Sequence, residues 1–406
     1  MLNRCPPPIL EISIIMRLSR FLVLLLGISV VFSNVAIASS VSVVVPVFAV
    51  YFLSIVFCFR SFNKVWRVYG KVVKYIPAFI ILFFITNVMN ECGYNTPLFP
   101  FSIFMCFVLM LTLLVHSIYD RVALLYCIYG IAFGGILMSI FFALGIGYEI
   151  DEGRLIMFGE NSNVLGVYMG LSSIVCLNSF ILKDDLHIGK IRFLFSVAFV
   201  FMVNLLLATG SRTAFLIFAM SIIIIVCFNP IKSKFGKFLF IIVGIIAVVY
   251  AFNSLLTRDS VLIQRLATTM EDGNVSGRDS IIESLIPYLW DSPIFGYGQT
   301  GYVNIAKQAL GRVSVIGGIV YGYSPHNVII ELLFYTGIIG LFLWLLFWWN
   351  IGKESWILFY KKRLLMPGLM CIPMLACIIS GQILDGKWAY VLYAYIMSEY
   401  HYLRRA

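Results

Sequence analysis

An all-α integral membrane protein of about twelve transmembrane helices is the fold class that this sequence predicts, with one large loop between the ninth and tenth. Three observations lead there. Of 406 residues, 61% are hydrophobic and 12% charged, against roughly 45–50% and about 25% in soluble domains, and mean hydropathy is +0.99. The apolar residues gather in runs of about twenty, the length a helix needs to cross hydrocarbon, rather than alternating as barrel strands do. Lysines and arginines, finally, concentrate in every second loop. The net charge of +10 is spread over short loops instead of one face, so nucleic acid is excluded as a partner.

The runs lie near residues 21–38, 41–59, 76–90, 99–117, 122–148, 164–182, 193–209, 213–228, 238–255, 328–350, 364–381 and 387–400. The first follows Arg17 and Arg20 and ends in an A-x-A step at Ala36 and Ala38. A signal peptide would look similar, but eleven further spans favour an uncleaved first helix. Met16, followed by Arg17, Leu18, Ser19 and Arg20, resembles a start, which makes residues 1–15 a loosely ordered extension.

A cytoplasmic N-terminus assigns 21 of the 29 basic residues to the inside and 8 to the outside, the asymmetry expected of inner loops. The basic loops are residues 60–74, 183–192, 232–237 and 353–363, with Arg404 and Arg405 at the end. Glu91, Glu149, Asp151, Glu152 and Glu160 fall outside. Three regions result: helices 1–9 over residues 1–255, a loop over 256–327, and helices 10–12 over 328–406. The nine cysteines include Cys58, Cys106, Cys127, Cys176, Cys227, Cys371 and Cys377 in or beside apolar runs, where they read as small buried hydrophobes. No CxxC pair or Cys/His cluster suggests a metal, and no cofactor is implied.

A loop of some seventy residues is where function is expected. Its segment 276–292, SGRDSIIESLIPYLWDS, places Ile281, Ile282, Leu285, Ile286 and Leu289 at helical spacing, with Ser276 and Asp279 resembling a capping box. An amphipathic surface helix is expected, kinked or ended by Pro287.

Three outer basic residues suit an anion. Arg212, in GSRTAFL, opens the eighth span, where the helix dipole is already positive and a phosphate would relieve the repulsion. The plain alternative is an interfacial arginine snorkelling to water. Arg278 repeats this pattern behind Gly277, or else pairs with Asp279 or Glu283. Arg154 is a third candidate unless Asp151 and Glu152 neutralise it. His326, alone among four histidines in an outer loop, could act as a general base near neutral pH, or serve as a helix cap. Glu331 follows one turn after Asn327 on the same face, and pairing with an arginine is expected of an ionisable group at that depth.

His326, Asn327, nine residues, Gly337, two residues and Gly340 resemble the H-[NSQ]-x9-G-x-x-[GTY] signature of the O-antigen ligase and polymerase superfamily. GRLIMFGENSNVLG at 153–166, GSRTAFL at 210–216, SGRDSI at 276–281 and DSPIFGYG at 291–298 are similar to other segments of that family, in the same order. The resemblance spans roughly the C-terminal two thirds of the chain. It implies a GT-C-like inner-membrane glycosyltransferase. Such an enzyme moves a glycan from undecaprenyl diphosphate to an acceptor sugar at the periplasmic face, without nucleotide sugar or metal.

The family's diphosphate-binding arginines carry over to Arg212 and Arg278, and its base to His326. Asn161 and Asn163 match a segment usually written N-P-N, with Ser162 here in the middle. Arg154, Asn163 and Glu331 are supporting candidates. Implied partners are the lipid-linked donor, an acceptor that is either a lipid-linked repeat or lipid A core, membrane lipid, and a chain-length regulator and flippase. The GRDSI and PIFGYG segments resemble polymerases more than ligases. A transporter or flippase is the reading from another class, but transporters of this size are often two six-span halves around a central inner loop. No such repeat is visible here.

Overall fold

The computed structural model describes residues 9–38, 41–59, 62–91, 93–96, 99–151, 153–181, 192–228, 278–316, 318–360 and 384–405. The elements in chain order are α1 (Ile9–Val31), β1 (Ala36–Ala38), β2 (Val41–Ser42), α2 (Val44–Phe59), α3 (Phe62–Val73), α4 (Tyr75–Met89), α5 (Phe99–Tyr119) and α6 (Ala123–Ala143). There follow β3 (Tyr148–Asp151), β4 (Arg154–Met157), α7 (Ser162–Ile181), α8 (Arg192–Ala208) and α9 (Arg212–Phe228). Last come α10 (Arg278–Leu289), α11 (Gly298–Leu310), β5 (Val313–Ile316), β6 (Ile319–Gly322), α12 (Val328–Tyr360) and α13 (Lys387–Arg405).

Among the described residues, Pro100–Tyr119, Ala123–Ala143 and Val328–Tyr360 are long and apolar enough to cross a membrane. The α2–α3 pair, bent by 109°, is a fourth candidate if taken as one span. The expected spans at 238–255 and 364–381 lie outside the described residues, as do Ser276 and the side chain of Arg278.

Several expectations need correction. The fold is helical but not purely so, because three antiparallel two-stranded hairpins occur: β1–β2, β3–β4 and β5–β6. Two of them, YEID with RLIM and VSVI with IVYG, are short strands rich in β-branched and aliphatic residues, with a left-handed glycine, Gly153 or Gly318, at the turn. They are too short to register in a search for runs of twenty. Helix α1 begins at Ile9, inside the stretch expected to be loosely ordered. The basic segment after α2 is helical. In α3, Val65, Tyr69, Val72 and Val73 face inward while Lys64, Arg67 and Lys71 are exposed, the division of an interfacial amphipathic helix. Cys58 is exposed, whereas Cys106, Cys127 and Cys176 are buried as expected. Pro287 sits inside α10 without ending it.

Helices α1 and α6 pack at close range. A Cβ on Gly27 would stand 2.1 Å from the Cys127 carbonyl oxygen, and one on Gly130 2.3 Å from that of Leu24, so small residues let the two backbones touch. Helix α13, the least hydrophobic of the expected spans, is the most enclosed: Trp388 through Ser398 are all buried. Its phenols tolerate this because they find partners. Tyr390 donates to the Leu384 carbonyl at 2.9 Å, and Tyr393 accepts from the Trp348 indole at 2.9 Å.

The bundle has two distinct ends. At one, Arg20 on α1 forms a two-bond ion pair with Asp120 in the α5–α6 turn, at 2.5 and 2.9 Å. Tyr402 near the end of α13 donates to the Ser117 carbonyl. The start of α1 and the end of α13 therefore share this end. The hairpins β3–β4 and β5–β6, and the starts of α7, α9, α12 and α13, lie at the other.

Candidate active site

At that other end a cavity of about 220 Å³ opens, lined by residues including Ser33, Asn34, Glu160, Asn163, His326, Asp385 and Lys387. The lining comes from the chain just after α1 and from the starts of α7, α12 and α13. Four segments distant in sequence thus supply its polar groups.

His326 reaches the cavity from a constrained loop. Its φ is +52°, a left-handed conformation uncommon for a residue with a Cβ. The loop is braced from several sides. The Ser324 hydroxyl accepts the His326 backbone N–H at 3.0 Å and donates to Glu331 Oε1 at 2.6 Å. Tyr323 sets its ring edge-on to the imidazole, and Arg312 lies over the face of Tyr323 at 3.9 Å. Asn327 caps α12, its Oδ1 accepting the N–H groups of Ile329 at 2.9 Å and Ile330 at 3.4 Å. The partner expected for Glu331 was an arginine. It is Ser324 instead, so this buried carboxylate braces the histidine loop.

The arginines are arranged differently from one another. Arg154 donates from Nε to the Thr209 carbonyl at 3.2 Å and from Nη2 to Asn163 Oδ1 at 2.8 Å. Ser211 donates to the same Asn163 oxygen at 2.9 Å. Asn161 precedes α7 and accepts the Asn163 N–H at 2.9 Å. With Ser162 between them, the two asparagines keep separate tasks: Asn161 caps the helix, and Asn163 joins the β3–β4 hairpin to the α8–α9 turn. Arg212 is the first residue of α9, behind the Ser211 cap that accepts the Ala214 N–H at 3.3 Å. It is half-buried and is not among the residues lining the cavity. Arg278 opens α10. The structure thus brings His326 and Asn163 to one cavity, bonds Arg154 to Asn163, places Arg212 next to Ser211 but outside the lining, and sets Glu331 behind the histidine.

The segment DSPIFGYG has a mechanical role. Helix α12 is interrupted at Gly337, whose φ of 61° and ψ of −163° are not helical, and the 293–297 backbone fills the break. Below it, the N–H groups of Ile338 and Ile339 donate to the carbonyls of Pro293 at 2.9 Å and Ile294 at 3.4 Å. Above it, the Phe334 carbonyl accepts from Tyr297 N–H at 2.6 Å, and the Tyr335 carbonyl from the Thr86 hydroxyl at 2.9 Å. These bonds satisfy the Phe334 and Tyr335 carbonyls and the Ile338 and Ile339 N–H groups at the kink. A Cβ on Gly337 would lie 2.2 Å from the Ile294 oxygen, which accounts for glycine at this position of the signature.

Sequence reasoning missed Glu160, Asp385 and Lys387 as cavity residues. Burial pushes the Glu160 carboxyl up to about 7, opposed by the Asn161 backbone N–H, the charge of Lys387 and the Ser33 hydroxyl. Burial likewise raises Asp385, again opposed by Lys387. A signal was available for the latter two: charges two residues apart, in LDGKW, interrupt an apolar stretch. Among the described residues, no group of three His, Cys, Asp or Glu is placed to hold a metal ion.

Residues 197–345 match the family described as O-Antigen ligase. The matched segment, a little over a third of the chain, contains Arg212, Arg278, His326, Gly337 and Gly340. No curated protein matches the chain. That match supports the resemblance to the O-antigen ligase and polymerase superfamily over residues 197–345.

Proposed function

We propose that this protein is an inner-membrane glycosyltransferase that polymerises a surface glycan. It transfers a chain from undecaprenyl diphosphate to the sugar of a second lipid-linked repeat at the periplasmic face. The observation that carries this reading is that His326 lines a cavity at which helices α7, α12 and α13 begin, with the start of α9 joined to it by the Ser211–Asn163 bond. Helix N-termini favour anions, and an imidazole at such a place can take a proton from a sugar hydroxyl.

In the reaction, His326 accepts the proton of the acceptor hydroxyl as its oxygen attacks the anomeric carbon. The bond from that carbon to the diphosphate oxygen breaks on the opposite face, with inversion. Arg212 and Arg278 stabilise the charge growing on the departing polyprenyl diphosphate. Asn163, held by Arg154 and Ser211, keeps the start of α7 in register with that of α9. The chain-length regulator and flippase that accompany such polymerases are its expected partners.

The test is the surface glycan of a deletion strain carrying wild type, Arg212→Ala, Arg278→Ala or His326→Ala at equal expression. Lipid core capped with a single repeat, in the deletion and in each variant, supports the polymerase. Bare core, with long polymer retained on undecaprenyl diphosphate, replaces it with a ligase that moves the finished polymer to lipid A core. A normal ladder from His326→Ala removes the base assignment. Unflipped intermediates at the cytoplasmic face overturn the glycosyltransferase reading in favour of transport.

A further inference from the structure

Glu160 is held with unusual firmness for a residue that satisfies only half of its carboxylate. It follows a turn in which Phe158 and Gly159 both have left-handed φ, 51° and 70°. Phe158 is clamped there, its N–H on the Gly147 carbonyl at 2.6 Å and its ring against Phe32 and Phe141. Glu160 N–H donates to the Met157 carbonyl at 2.9 Å, and the next residue caps α7. Its side chain is 5% exposed. Oε1 accepts from Asn34 Nδ2 at 2.8 Å; the Asn161 N–H and the Ser33 hydroxyl face the carboxylate and favour its charge, but neither makes a hydrogen bond with Oε2, which is buried. A buried polar atom left unmatched costs stability, and strained backbone persists where function retains it. Glu160 lines the same cavity as His326.

From this geometry we infer that Glu160 Oε2 receives a hydroxyl of the acceptor sugar, fixing that sugar in the cavity from which His326 takes the proton. The inference rests on the glycosyltransferase reading and adds a substrate-contacting residue outside the matched segment 197–345. The other ionisable groups of the cavity are His326 from the start of α12, Asp385 and Lys387 from the start of α13, and Tyr168 from α7. Two carboxyls face one ammonium, so the lining suits a hydroxyl-rich sugar and disfavours a uronic acid, whose carboxylate would meet Glu160 and Asp385.

The experiment uses the full-length protein in vesicles, with the lipid-linked glycan extract of the deletion strain as substrate, and measures transfer rate against extract concentration. Glu160→Gln keeps an acceptor for Asn34 but replaces the free acceptor oxygen by a donor. The half-saturating concentration is expected to rise about 10- to 100-fold, as for loss of a hydrogen bond to a charged group, with the saturated rate within about threefold of wild type. A merely structural role would lower the amount of active protein without moving half-saturation. Should Glu160→Gln fail to accumulate, Glu160→Asp, which withdraws the carboxylate by one methylene, carries the same expectation. Wild-type concentration dependence in a folded Glu160 variant, beside an inactive His326→Ala, overturns the inference and leaves the function standing. Full transfer by His326→Ala removes the base assignment, while a shifted Glu160 variant in the same preparations still upholds the contact.

Discussion

Gly337→Ala tests whether the break in α12 is a built joint. At φ 61° and ψ −163° the backbone lies where residues other than glycine are held at a cost of about 1–3 kcal/mol. The added Cβ would also stand 2.2 Å from the Ile294 carbonyl oxygen and 2.6 Å from the Phe295 nitrogen, so the 293–297 segment must retreat. Retreat lengthens the bonds from Ile338 N–H to Pro293 and from Tyr297 N–H to Phe334, each contributing about 1 kcal/mol. Together these effects cost about 3–5 kcal/mol. Thermal unfolding of the full-length protein in detergent should show a midpoint lower by about 4–6 °C. Transfer should fall further than the loss of folded protein explains, because the loop that carries His326 leads directly into α12 on one side of the joint. Gly352, in the same helix with nothing within 4 Å of an added Cβ, is the control: Gly352→Ala should be neutral or stabilise by up to about 1 kcal/mol. Equal midpoints for Gly337→Ala and wild type would refute the reasoning.

Three further outcomes are expected. Glu160 has its carboxyl raised to about 7 from about 4.5, so between these values the folded protein holds a proton that the unfolded chain has lost. Stability therefore falls as pH rises through that window and levels off above it. Glu160→Gln should match wild type near pH 4.5 and exceed it by up to about 3 kcal/mol near pH 8; parallel melting curves at all pH values would contradict this. At the opposite end of the bundle, Asp120 is 4% exposed and paired with Arg20, so Asp120→Asn should cost about 2 kcal/mol, after allowing for the partly exposed guanidinium. Unchanged unfolding would show the pair to be dispensable. Asn327→Ala removes the cap of α12 and should cost about 1 kcal/mol, with transfer reduced at temperatures where the protein remains folded; an unaltered rate would mean that the cap does not position His326.

What the sequence disclosed, and what it withheld, follows from the range of the interactions concerned. Helices α5, α6 and α12 were legible because each carries its own apolar signal. The positions of Arg212 and Arg278 at helix starts were legible for the same local reason, since a cap and a change of periodicity are read within a few residues. The partner of Glu331 was misjudged because charge alone suggested an arginine, while Ser324 lies seven residues earlier in a loop whose path no periodicity fixes. Glu160 was visible only as one of several outer acids. What singles it out is contact with Asn34, 126 residues away, together with the tightly held turn before it. The hairpins escaped notice because strands of two to four residues carry too few side chains to show alternation against a uniformly apolar background.

The glycine signature acquires a physical meaning from the same contacts. His326, Asn327 and Gly337 would be three unrelated requirements if α12 were an ordinary helix, but the joint at Gly337 makes them one. Asn327 fixes where the helix begins, and His326 is thereby set at the cavity. About two and a half turns separate that cap from the break, where the 293–297 backbone completes the hydrogen bonding of α12 from outside. That backbone directly precedes α11 and follows α10, so the helix that begins with Arg278 is anchored to the helix that presents His326. In the proposed reaction the arginine meets the leaving diphosphate while the histidine meets the attacking hydroxyl on the other side of the anomeric carbon. Inversion requires those two groups to keep a constant separation as the sugar moves between them, and a backbone joint, with hydrogen bonds on both sides of the break, holds that separation more firmly than side-chain packing alone.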